Sequence, residues 1–269
     1  MPVFLASNEA DSPSFIPDGL FYCQLAMGGR YRCQDGQDPV GYTVTMRFDV
    51  LTIFPAMFES YFSESIIKRA RERGLLDIRT HDLRDWAGNR HNRVDDKPYG
   101  GGPGMLMQIG PFYRALKALL PRQSKKTRVI LLSAKGKRFV HEDAMRLAKY
   151  SRIVLLCGRY EGVDERVAEY LADEEISIGD FVLTGGELPA MTLIDSISRQ
   201  VRGVLGKSES LDSESHSEEG LIEYPQYTRP EVFEPKKGVR WSVPEVLTGG
   251  DHAKIEAWRK KQQRSAEEG

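Results

Sequence analysis

Cysteine is scarce in this chain of 269 residues, which contains only Cys23, Cys33 and Cys157. Three cysteines do not make the disulfide framework of a small secreted domain, and no Cys-x-x-Cys or His-Glu-x-x-His pairing indicates a zinc site. Long hydrophobic runs are also missing, since none approaches the ~20 residues of a membrane-spanning helix. These absences predict a cytoplasmic protein with no membrane span and no bound metal.

An excess of one charge is absent as well, because 38 basic and 39 acidic residues give a formal net charge of −1. A globally basic coat for nucleic acid is therefore excluded, whereas a local basic face is not. Apolar residues make up 40% of the chain and charged residues 29%, which is typical of a folded globular protein. The length fits one large domain or two modest ones.

Residues 1–45 differ in composition from the rest of the chain. They contain five acidic and two basic residues, with no sustained helical or strand period. They lack the basic start and apolar stretch of a secretory signal, and the arginine-rich, acid-poor character of a transit peptide. We expect a dispensable or disordered extension, or the product of an upstream misreading of a gene that starts at Met46.

From Met46 onward, predicted strands alternate with predicted helices. The strands are Met46–Phe54, Leu75–Thr80, Thr127–Ser133 and Arg152–Cys157. The helices are Met57–Arg73, Pro111–Leu120, His141–Lys149, Val163–Leu171, Pro189–Val201 and Asp251–Arg264. This alternation predicts an α/β domain with a parallel sheet covered by helices on both faces. Residues 84–104 form a polar loop of a length that is usually functional or disordered.

Three glycine-rich segments, residues 99–105, 157–162 and 177–189, are candidates for a ligand site. Glycine lets backbone N–H groups approach a phosphate or a cofactor closely, and ligands of open α/β sheets bind at the carboxyl ends of strands. The first segment has neither the ending of a nucleotide P-loop nor the spacing of a dinucleotide fold. Taken singly, the three also fit a hinge, a strand-to-helix turn and a buried strand between two turns.

Taken in order, these segments closely resemble the bacterial tRNA (guanine-37-N1) methyltransferases. The matching stretches are 47–58, 99–107, 157–167, 177–199 and Tyr224–Glu231. The resemblance covers about residues 46–264 and implies a knotted α/β methyltransferase, with a deep trefoil in the C-terminal part of the domain. It divides the chain into a methyltransferase domain (46–205), an acidic linker or lid (206–223) and a shortened C-terminal tRNA-binding segment (224–269).

The resemblance also implies a reaction and a cofactor. Members of this family transfer a methyl group from S-adenosylmethionine to N1 of guanosine 37, beside the anticodon of tRNA, which prevents frameshifting. The positions that match the cofactor site are Leu131, Leu132, Ser133, Ala134, Gly158, Tyr160, Glu161, Gly162, Ile178, Gly179, Asp180, Phe181, Val182, Leu183, Gly185 and Gly186. Alternative functions are methylation of another RNA position and RNA binding without catalysis.

Two residues match the catalytic positions of the family. Guanine N1 carries a proton, so a carboxylate base and an arginine that stabilises charge on O6 suit the reaction. The resemblance assigns the arginine to Arg199, which otherwise fits a solvated cation at a helix C-terminus. The family's aspartate is replaced by Glu214, with Asp212 and His216 as the competing candidates for the base. The sequence is compatible with methyl transfer either with or without the assistance of a divalent ion.

Residues 206–220 contain five serines and five acidic residues, a composition that does not fold by itself. We therefore expect this linker to become ordered only against a partner. The resemblance implies a homodimer with a composite active site, in which the lid closes over the neighbouring subunit's cofactor.

Candidate RNA contacts are basic and aromatic side chains of the long loop. They are Arg90, His91, Arg93, Lys97 and Tyr99, with Arg84 and Trp86 nearby and Lys254, Arg259, Lys260 and Lys261 near the C-terminus. Each of them also fits an ordinary solvated surface. The family normally continues beyond Trp258–Arg259 into a compact helical domain that grips tRNA, so we expect the short C-terminal segment to affect tRNA affinity more than cofactor binding.

Overall fold

The structure is a computed structural model that describes residues 23–26, 30–33, 46–122, 124–205 and 221–265. The chain forms two compact units, residues 1–43 and 44–269. In the first unit, strands β1 (Cys23–Ala26) and β2 (Arg30–Cys33) pair antiparallel. The sequence pattern did not predict this pair, and the remainder of residues 1–45 lies outside the described residues.

The second unit contains the remaining strands and all the described helices. The strands are β3 Met46–Thr52, β4 Leu76–Asp82, β5 Asp95–Asp96, β6 Leu106–Met107, β7 Thr127–Arg138, β8 Arg152–Cys157, β9 Glu174–Ser177, β10 Leu221–Ile222, β11 Val232–Lys236, β12 Val239–Ser242 and β13 Arg264–Ser265. The helices are α1 Glu59–Phe62, α2 Ser65–Glu72, α3 Ile109–Leu119, α4 His141–Leu147, α5 Glu165–Tyr170, α6 Glu187–Arg199, α7 Glu245–Thr248 and α8 His252–Gln262. Pro55–Phe58 and Leu83–Trp86 are 3-10 turns.

A five-stranded sheet in the order β4-β3-β8-β7-β9 forms the centre of this unit. Every neighbouring pair in it is parallel, which confirms the predicted α/β domain with a parallel sheet. The central strand β8 reads Arg-Ile-Val-Leu-Leu-Cys and is buried from Ile153 to Cys157. A continuous apolar run of this kind is typical of a parallel strand that is covered on both faces.

Helices cover both faces of the sheet, because successive strand side chains point to opposite faces. Ile153 and Leu155 join a core cluster with residues of α2, α4 and α6, whereas Val154 and Leu156 join a second cluster with residues of α3 and α5. This second unit therefore has three layers, and the carboxyl ends of β8 and β9 lie at the same edge of the sheet because the strands are parallel.

Several element boundaries differ from the predicted ones. The predicted helix Met57–Arg73 is divided into a 3-10 turn, α1 and α2, because the chain breaks at Ser63 and Ser65 has a positive φ of 52°. Strand β7 was predicted to end at Ser133, but in the structure it continues for five more residues and ends at Arg138. Strand β9 was missed, because four residues that begin with Glu174-Glu175 do not show an apolar period.

The C-terminal part of the unit has its own small contacts. Strand β10 pairs with β13, and β11 pairs with β12. The rings of Tyr227 and Trp258 lie 6.4 Å apart, and the guanidinium of Arg259 lies 5.0 Å from the ring centroid of Tyr224. Asp251 caps α8 by accepting a hydrogen bond from the Lys254 backbone N–H, so the predicted helix begins one residue later, at His252.

A buried carboxylate, that of Asp49 on β3, links three strands of the sheet. Arg47 donates to both of its oxygens at 2.8 Å, Arg152 on β8 donates at 2.7 Å, and His81 Nε2 on β4 lies 2.7 Å from Oδ1. Arg152 also donates to the carbonyl of Leu119 at the end of α3. A buried anion with this many donors stays charged, and removing it leaves uncompensated cations.

We expect Asp49→Asn to lower the free energy of unfolding by about 3–5 kcal/mol, the cost of breaking a buried ion pair. Urea denaturation measures the change. Asp77→Asn is a matched control, because Asp77 pairs with Arg79 near the surface of the same sheet, and it should cost less than about 1 kcal/mol. Similar losses in the two variants would contradict a special role of the buried carboxylate.

The Asp49 contribution should also depend on pH. Burial alone raises the pKa of Asp49, but hydrogen bonds from His81, Arg47 and Arg152 outweigh burial and hold that pKa well below 3.8. Because the pKa is lower in the folded than in the unfolded chain, the stabilisation is complete above about pH 5 and is lost as the pH falls. The difference in unfolding free energy between wild type and Asp49→Asn should therefore shrink progressively below about pH 5. A difference that stays constant down to acidic pH would rule this out.

Candidate functional site

A cavity of about 540 Å³ lies beside the irregular middle part of β7 and the carboxyl ends of β8 and β9. Its volume falls within the ~300–1,000 Å³ of typical small-molecule sites. Three chain segments supply most of its wall: the irregular part of β7, the turn after β8, and the stretch between β9 and α6. The location agrees with the rule that open parallel sheets bind ligands beyond the carboxyl ends of their strands.

Strand β7 contributes through an irregularity in its pairing with β9. The register shifts between Leu132 and Lys137, so residues 133–136 leave the ladder at the cavity wall. Gly136 permits this path, because a Cβ at that position would come within 2.6 Å of the backbone of Glu175 and Ile176. Bulges of this kind often occur beside functional sites, where they redirect side chains.

The turn after β8 holds a strained aromatic residue. Tyr160 has a positive φ of 61°, a conformation uncommon for residues other than glycine. The turn is held by hydrogen bonds from the Glu161 N–H to the Met105 carbonyl at 3.1 Å and from the Met107 N–H to the Gly162 carbonyl at 3.0 Å. These bonds attach the glycine-rich segment 99–105 to the cavity wall, and an observed backbone outlier of this kind suggests function.

The stretch between β9 and α6 returns from the edge strand to the central strand. The Gly186 N–H donates to the Gly158 carbonyl at 2.9 Å, and a Cβ at Gly186 would lie 2.8 Å from the Cα of Cys157. The two glycine breaks that the sequence shows in this stretch therefore allow backbone to pack directly on backbone.

A fully buried carboxylate, that of Glu187, fixes the start of α6. It accepts hydrogen bonds from Thr52 Oγ1 at the end of β3, at 2.7 Å, and from Arg159 Nε after β8, at 2.8 Å. Arg159 also donates to the Thr184 carbonyl at 3.2 Å, and its guanidinium lies 4.7 Å from the ring centroid of Phe54. Burial, with the nearby Glu187 charge adding to it, raises the pKa of the Cys157 thiol well above 9.0.

Most of the predicted cofactor positions lie around this cavity. The lining includes Leu131, Leu132, Ser133, Ala134, Gly158, Tyr160, Glu161, Gly162, Ile178, Phe181, Val182, Leu183, Gly185 and Gly186. Gly179 and Asp180 are not among the lining residues. Gly179 packs against the ring of Phe181, and the Asp180 side chain is 91% exposed and lies 3.9 Å from Arg138.

Five charged residues of the lining were not predicted as site residues: Lys135, Arg159, Asp164, Glu165 and Glu175. Lys135 hydrogen-bonds to Glu165, which raises the pKa of the lysine, and its Nζ lies 3.9 Å from Glu175 Oε1. That Glu175 oxygen is buried and has no hydrogen-bond donor within the described part of the chain. Arg159 belongs to a motif that the sequence singled out, whereas Glu175 lies on the strand that the sequence pattern missed.

Of the predicted catalytic residues, only Arg199 lies in the described part of the chain. Arg199 is the last residue of α6, and Pro189 in the first turn of that helix lines the cavity. Twelve helical steps of 1.5 Å separate Glu187 from Arg199, about 18 Å in all. Arg199 is not a lining residue of the cavity. Glu214, Asp212 and His216 lie outside the described residues.

The predicted RNA-binding loop has a defined internal structure. Arg90, His91, Arg93, Lys97 and Tyr99 are all exposed. Asn89 organises the turn, because its side chain donates to the Arg93 carbonyl at 2.7 Å and accepts from the backbone N–H groups of His91 and Arg93. The guanidinium of Arg84, by contrast, donates a hydrogen bond to the Ile53 carbonyl and forms an ion pair with Asp82, so its contacts are within the fold.

No group of three or more histidine, cysteine or acidic residues suited to hold a metal ion occurs among the described residues. The described helices also include none that is both long enough and apolar enough to cross a bilayer.

A model of the tRNA (Guanine-1)-methyltransferase TrmD family matches residues 46–268 of this chain. The chain belongs to this family. It is 51% identical over 217 residues to the tRNA (guanine-N(1)-)-methyltransferase of Dehalococcoides mccartyi, an alignment that covers 81% of this chain and 85% of the relative. Proteins with the same name from Geobacter sp. strain M21 (49% identical; 81% and 85% covered) and Thermomicrobium roseum (51%; 80% and 78%) are similarly close.

The matched region contains both the cavity and the Glu187 contacts, and these contacts generate a prediction. Glu187→Ala leaves a buried guanidinium and a buried hydroxyl without their acceptor, so we expect the free energy of unfolding to fall by about 3–5 kcal/mol. Amide hydrogen exchange in residues 178–186 should also become faster. Glu165→Gln, at an exposed acid that pairs with Lys135 on the cavity rim, is the control and should cost less than about 1 kcal/mol. Unchanged exchange in residues 178–186 would show that Glu187 does not fix this stretch.

Proposed function

We propose that this chain transfers the methyl group of S-adenosylmethionine to N1 of guanosine 37 in tRNA, as its family membership indicates, and so prevents frameshifting. The observation that carries the proposal is the convergence of three segments into one cavity. Residues of segments 131–135, 158–165 and 175–189, far apart in sequence, line a single small-molecule site beside adjacent parallel strands. Those strands and segments lie within the region that the family model matches.

The lining fits S-adenosylmethionine in size and chemistry. Leu131, Leu132, Ile178 and Leu183 offer an apolar slot suited to a flat adenine ring, and Gly158, Gly162, Gly185 and Gly186 leave backbone groups accessible. Glu175 Oε1, buried without a hydrogen-bond donor in the described chain, fits a hydroxyl or ammonium group of the ligand. When bound, the cofactor supplies an activated methyl group on its sulfonium.

The chain's own residues supply the acid–base chemistry. In our proposal, Glu214 accepts the proton of guanine N1 as the new N1–methyl bond forms, and Arg199 donates hydrogen bonds to O6 as negative charge develops there. Loss of that proton frees the N1 electron pair to attack the methyl group, with the negative charge shared with O6, so no covalent enzyme intermediate is needed. The arginine fork suits this task because its donors are planar and permanently charged.

We also propose that the chain is knotted in this region. The support is the path of residues 177–187, which leave the edge strand β9 and pass the end of β7 before they pack against the end of the central strand β8. The chain then continues into α6 on the face that carries α2 and α4.

A homodimer with a composite site forms a further part of the proposal. One support is the distance of about 18 Å between the cavity end of α6 and Arg199. Because of this distance, one copy cannot bring its own cavity and its own Arg199 to the same site. The dimer is supported as well by exposed apolar side chains beside α6, namely Phe54, Met57, Tyr61 and Leu188. Burial and a hydrogen bond to Asp195 of α6 raise the pKa of Tyr61, which ties this surface to the helix.

For the tRNA itself, we propose that the anticodon stem-loop contacts Arg90, His91, Arg93, Lys97 and Tyr99. All five are exposed, and the Asn89-centred turn presents Arg90, His91 and Arg93 together. In this scheme residues 206–223 act as the lid, residues 224–269 bind tRNA, and the enzyme works in the cytoplasm where its substrate is found.

The direct test is methyl transfer from labelled S-adenosylmethionine to an unmodified tRNA with guanosines at positions 36 and 37. We expect product with this tRNA, none when position 37 is replaced, and a loss of about 10²–10⁴-fold in Glu214→Gln. Asp212→Asn and His216→Gln serve as controls for the base, and activity retained in Glu214→Gln would transfer that role to one of them. Cofactor binding without methylation of any tRNA would support a non-catalytic RNA-binding relative instead.

Mixing two inactive variants tests the composite site. Arg199→Ala removes the proposed arginine, and Ala134→Trp fills the cavity from an exposed position on its rim. In a mixed dimer, the intact cavity of one copy meets the intact Arg199 of the other. Random mixing should therefore restore about a quarter of wild-type activity, since half of the dimers have one competent site of two. No restoration would show that cavity and arginine must come from the same copy.

A further inference from the structure

The hairpin β11–β12 presents a pair of aromatic rings to solvent. Phe233 and Trp241 are direct cross-strand partners, so their side chains project from the same face. Their ring centroids lie 5.8 Å apart with the planes inclined by 35°. The residues are 51% and 63% exposed. A two-stranded hairpin with two large exposed rings side by side is a surface that a ligand would be expected to cover.

Basic side chains accompany these rings at the tip of the hairpin. Lys236 and Lys237 precede the turn at Gly238, whose φ of 83° allows the chain to reverse. Both lysines are exposed, and neither makes an ion pair with any residue of the described chain. Arg240, by contrast, lies 3.4 Å from Glu234, and both occupy the opposite face of the hairpin. Positive charge without an ion-pair partner in the described chain is thus concentrated at the tip, three and four residues beyond Phe233.

This combination fits nucleic acid better than it fits an apolar protein surface. Aromatic faces stack on unpaired bases without regard to sequence, and adjacent lysines neutralise the flanking phosphates. A protein partner that buried the two rings would also have to desolvate or compensate the two lysines.

We propose that Phe233 and Trp241, together with Lys236 and Lys237, form an additional RNA-binding site that stacks an unpaired base of the tRNA, separate from the methylated guanosine. The inference rests on the proposed function, because it takes tRNA as the substrate. The site acts on affinity for RNA and has no part in methyl transfer itself, since none of its residues lines the cavity.

The first experiment measures tRNA affinity of the full-length chain with single substitutions. Trp241→Ala and Phe233→Ala should each weaken tRNA binding by roughly 5- to 150-fold, the loss that follows from removing one stacked base. Trp241→Phe keeps an aromatic face and should retain most of the affinity. The affinity for S-adenosylmethionine should not change in any of the three variants, and the unfolding free energy should fall by no more than about 1 kcal/mol, the contribution of one cross-strand pair.

The second experiment measures the dependence of tRNA affinity on salt. The double substitution Lys236→Gln and Lys237→Gln should reduce the slope of log affinity against log salt by about 0.7–0.9 per phosphate contact removed. Lys117→Gln, at an exposed lysine on α3, is the control and should leave the slope unchanged. Quenching of tryptophan fluorescence by tRNA should also be smaller in Trp241→Phe than in wild type.

The outcomes distinguish this site from the proposed function. If the wild-type chain methylates guanosine 37 while the hairpin variants bind tRNA with unchanged affinity and salt slope, the additional site is wrong and the proposed function stands. If Trp241→Ala weakens RNA binding but wild type methylates no tRNA, only the proposed function fails. If Trp241→Ala changes the sedimenting mass and leaves tRNA affinity intact, the face joins two copies of the chain, which overturns the RNA proposal.

Discussion

The cavity depends on one buried carboxylate, that of Glu187. Its two oxygens join Thr52 at the end of β3 with Arg159 after β8, and its own position is the first residue of α6. Burying an ion in a protein interior costs several kcal/mol, which is recovered only when its charge and lone pairs are well matched. Here the match connects parts of the chain that are 135 and 28 residues apart. The stretch 178–186 is consequently held at both ends, by β9 and by this contact.

Backbone, more than side chains, gives the site its shape. Gly136 lies against the backbone of β9 and Gly186 against that of β8, at separations that leave no room for a Cβ. Gly104, with a φ of 79°, lies against the side chain of Glu161. A side chain at Gly136 or Gly186 would have to displace strand backbone, which a closely packed interior resists. The strained Tyr160 fits the same pattern, since its conformation is maintained by the surrounding hydrogen bonds.

Local patterns predicted the sheet well, because burial on both faces leaves a direct trace in the sequence. Strand β8 has the predicted bounds, and β7 has the predicted start. The structure departs where tertiary contacts override local pattern. Strand β9 begins with Glu174, whose carboxylate pairs with Arg128 and Arg146. Because a charged residue at this position is not typical of a buried strand, the sequence pattern did not predict β9. The helix predicted for residues 57–73 is also interrupted. The break lies at residues 63–65, where Ser65 has a positive φ.

For the site, motif order predicted which segments converge, but not the charges between them. Ser133, Gly158 and Gly185 were expected at one ligand, and all three line the same cavity. Glu175 could not be predicted as a site residue from motifs, because it reaches the cavity only through the pairing of β9 with β7. The link between Glu187 and Thr52 could not be predicted either, since no local period relates residues so far apart.

The geometry of α6 is the main physical argument for the homodimer and composite site that we propose. The helix begins at the cavity and ends at Arg199, so any arrangement within one copy keeps these two ends a helix length apart. A two-fold axis that crosses the middle of α6 reverses one helix relative to the other. The Arg199 end of each copy then lies beside the Leu188 end of its partner, where the cavity opens. Leu188, Met57 and Phe54, exposed at that end of the helix, are apolar as an interface there requires. In the proposed dimer the same symmetry would create two equivalent sites, each built from both copies. The distance between the functional groups within one chain would then be the physical reason for pairing two chains.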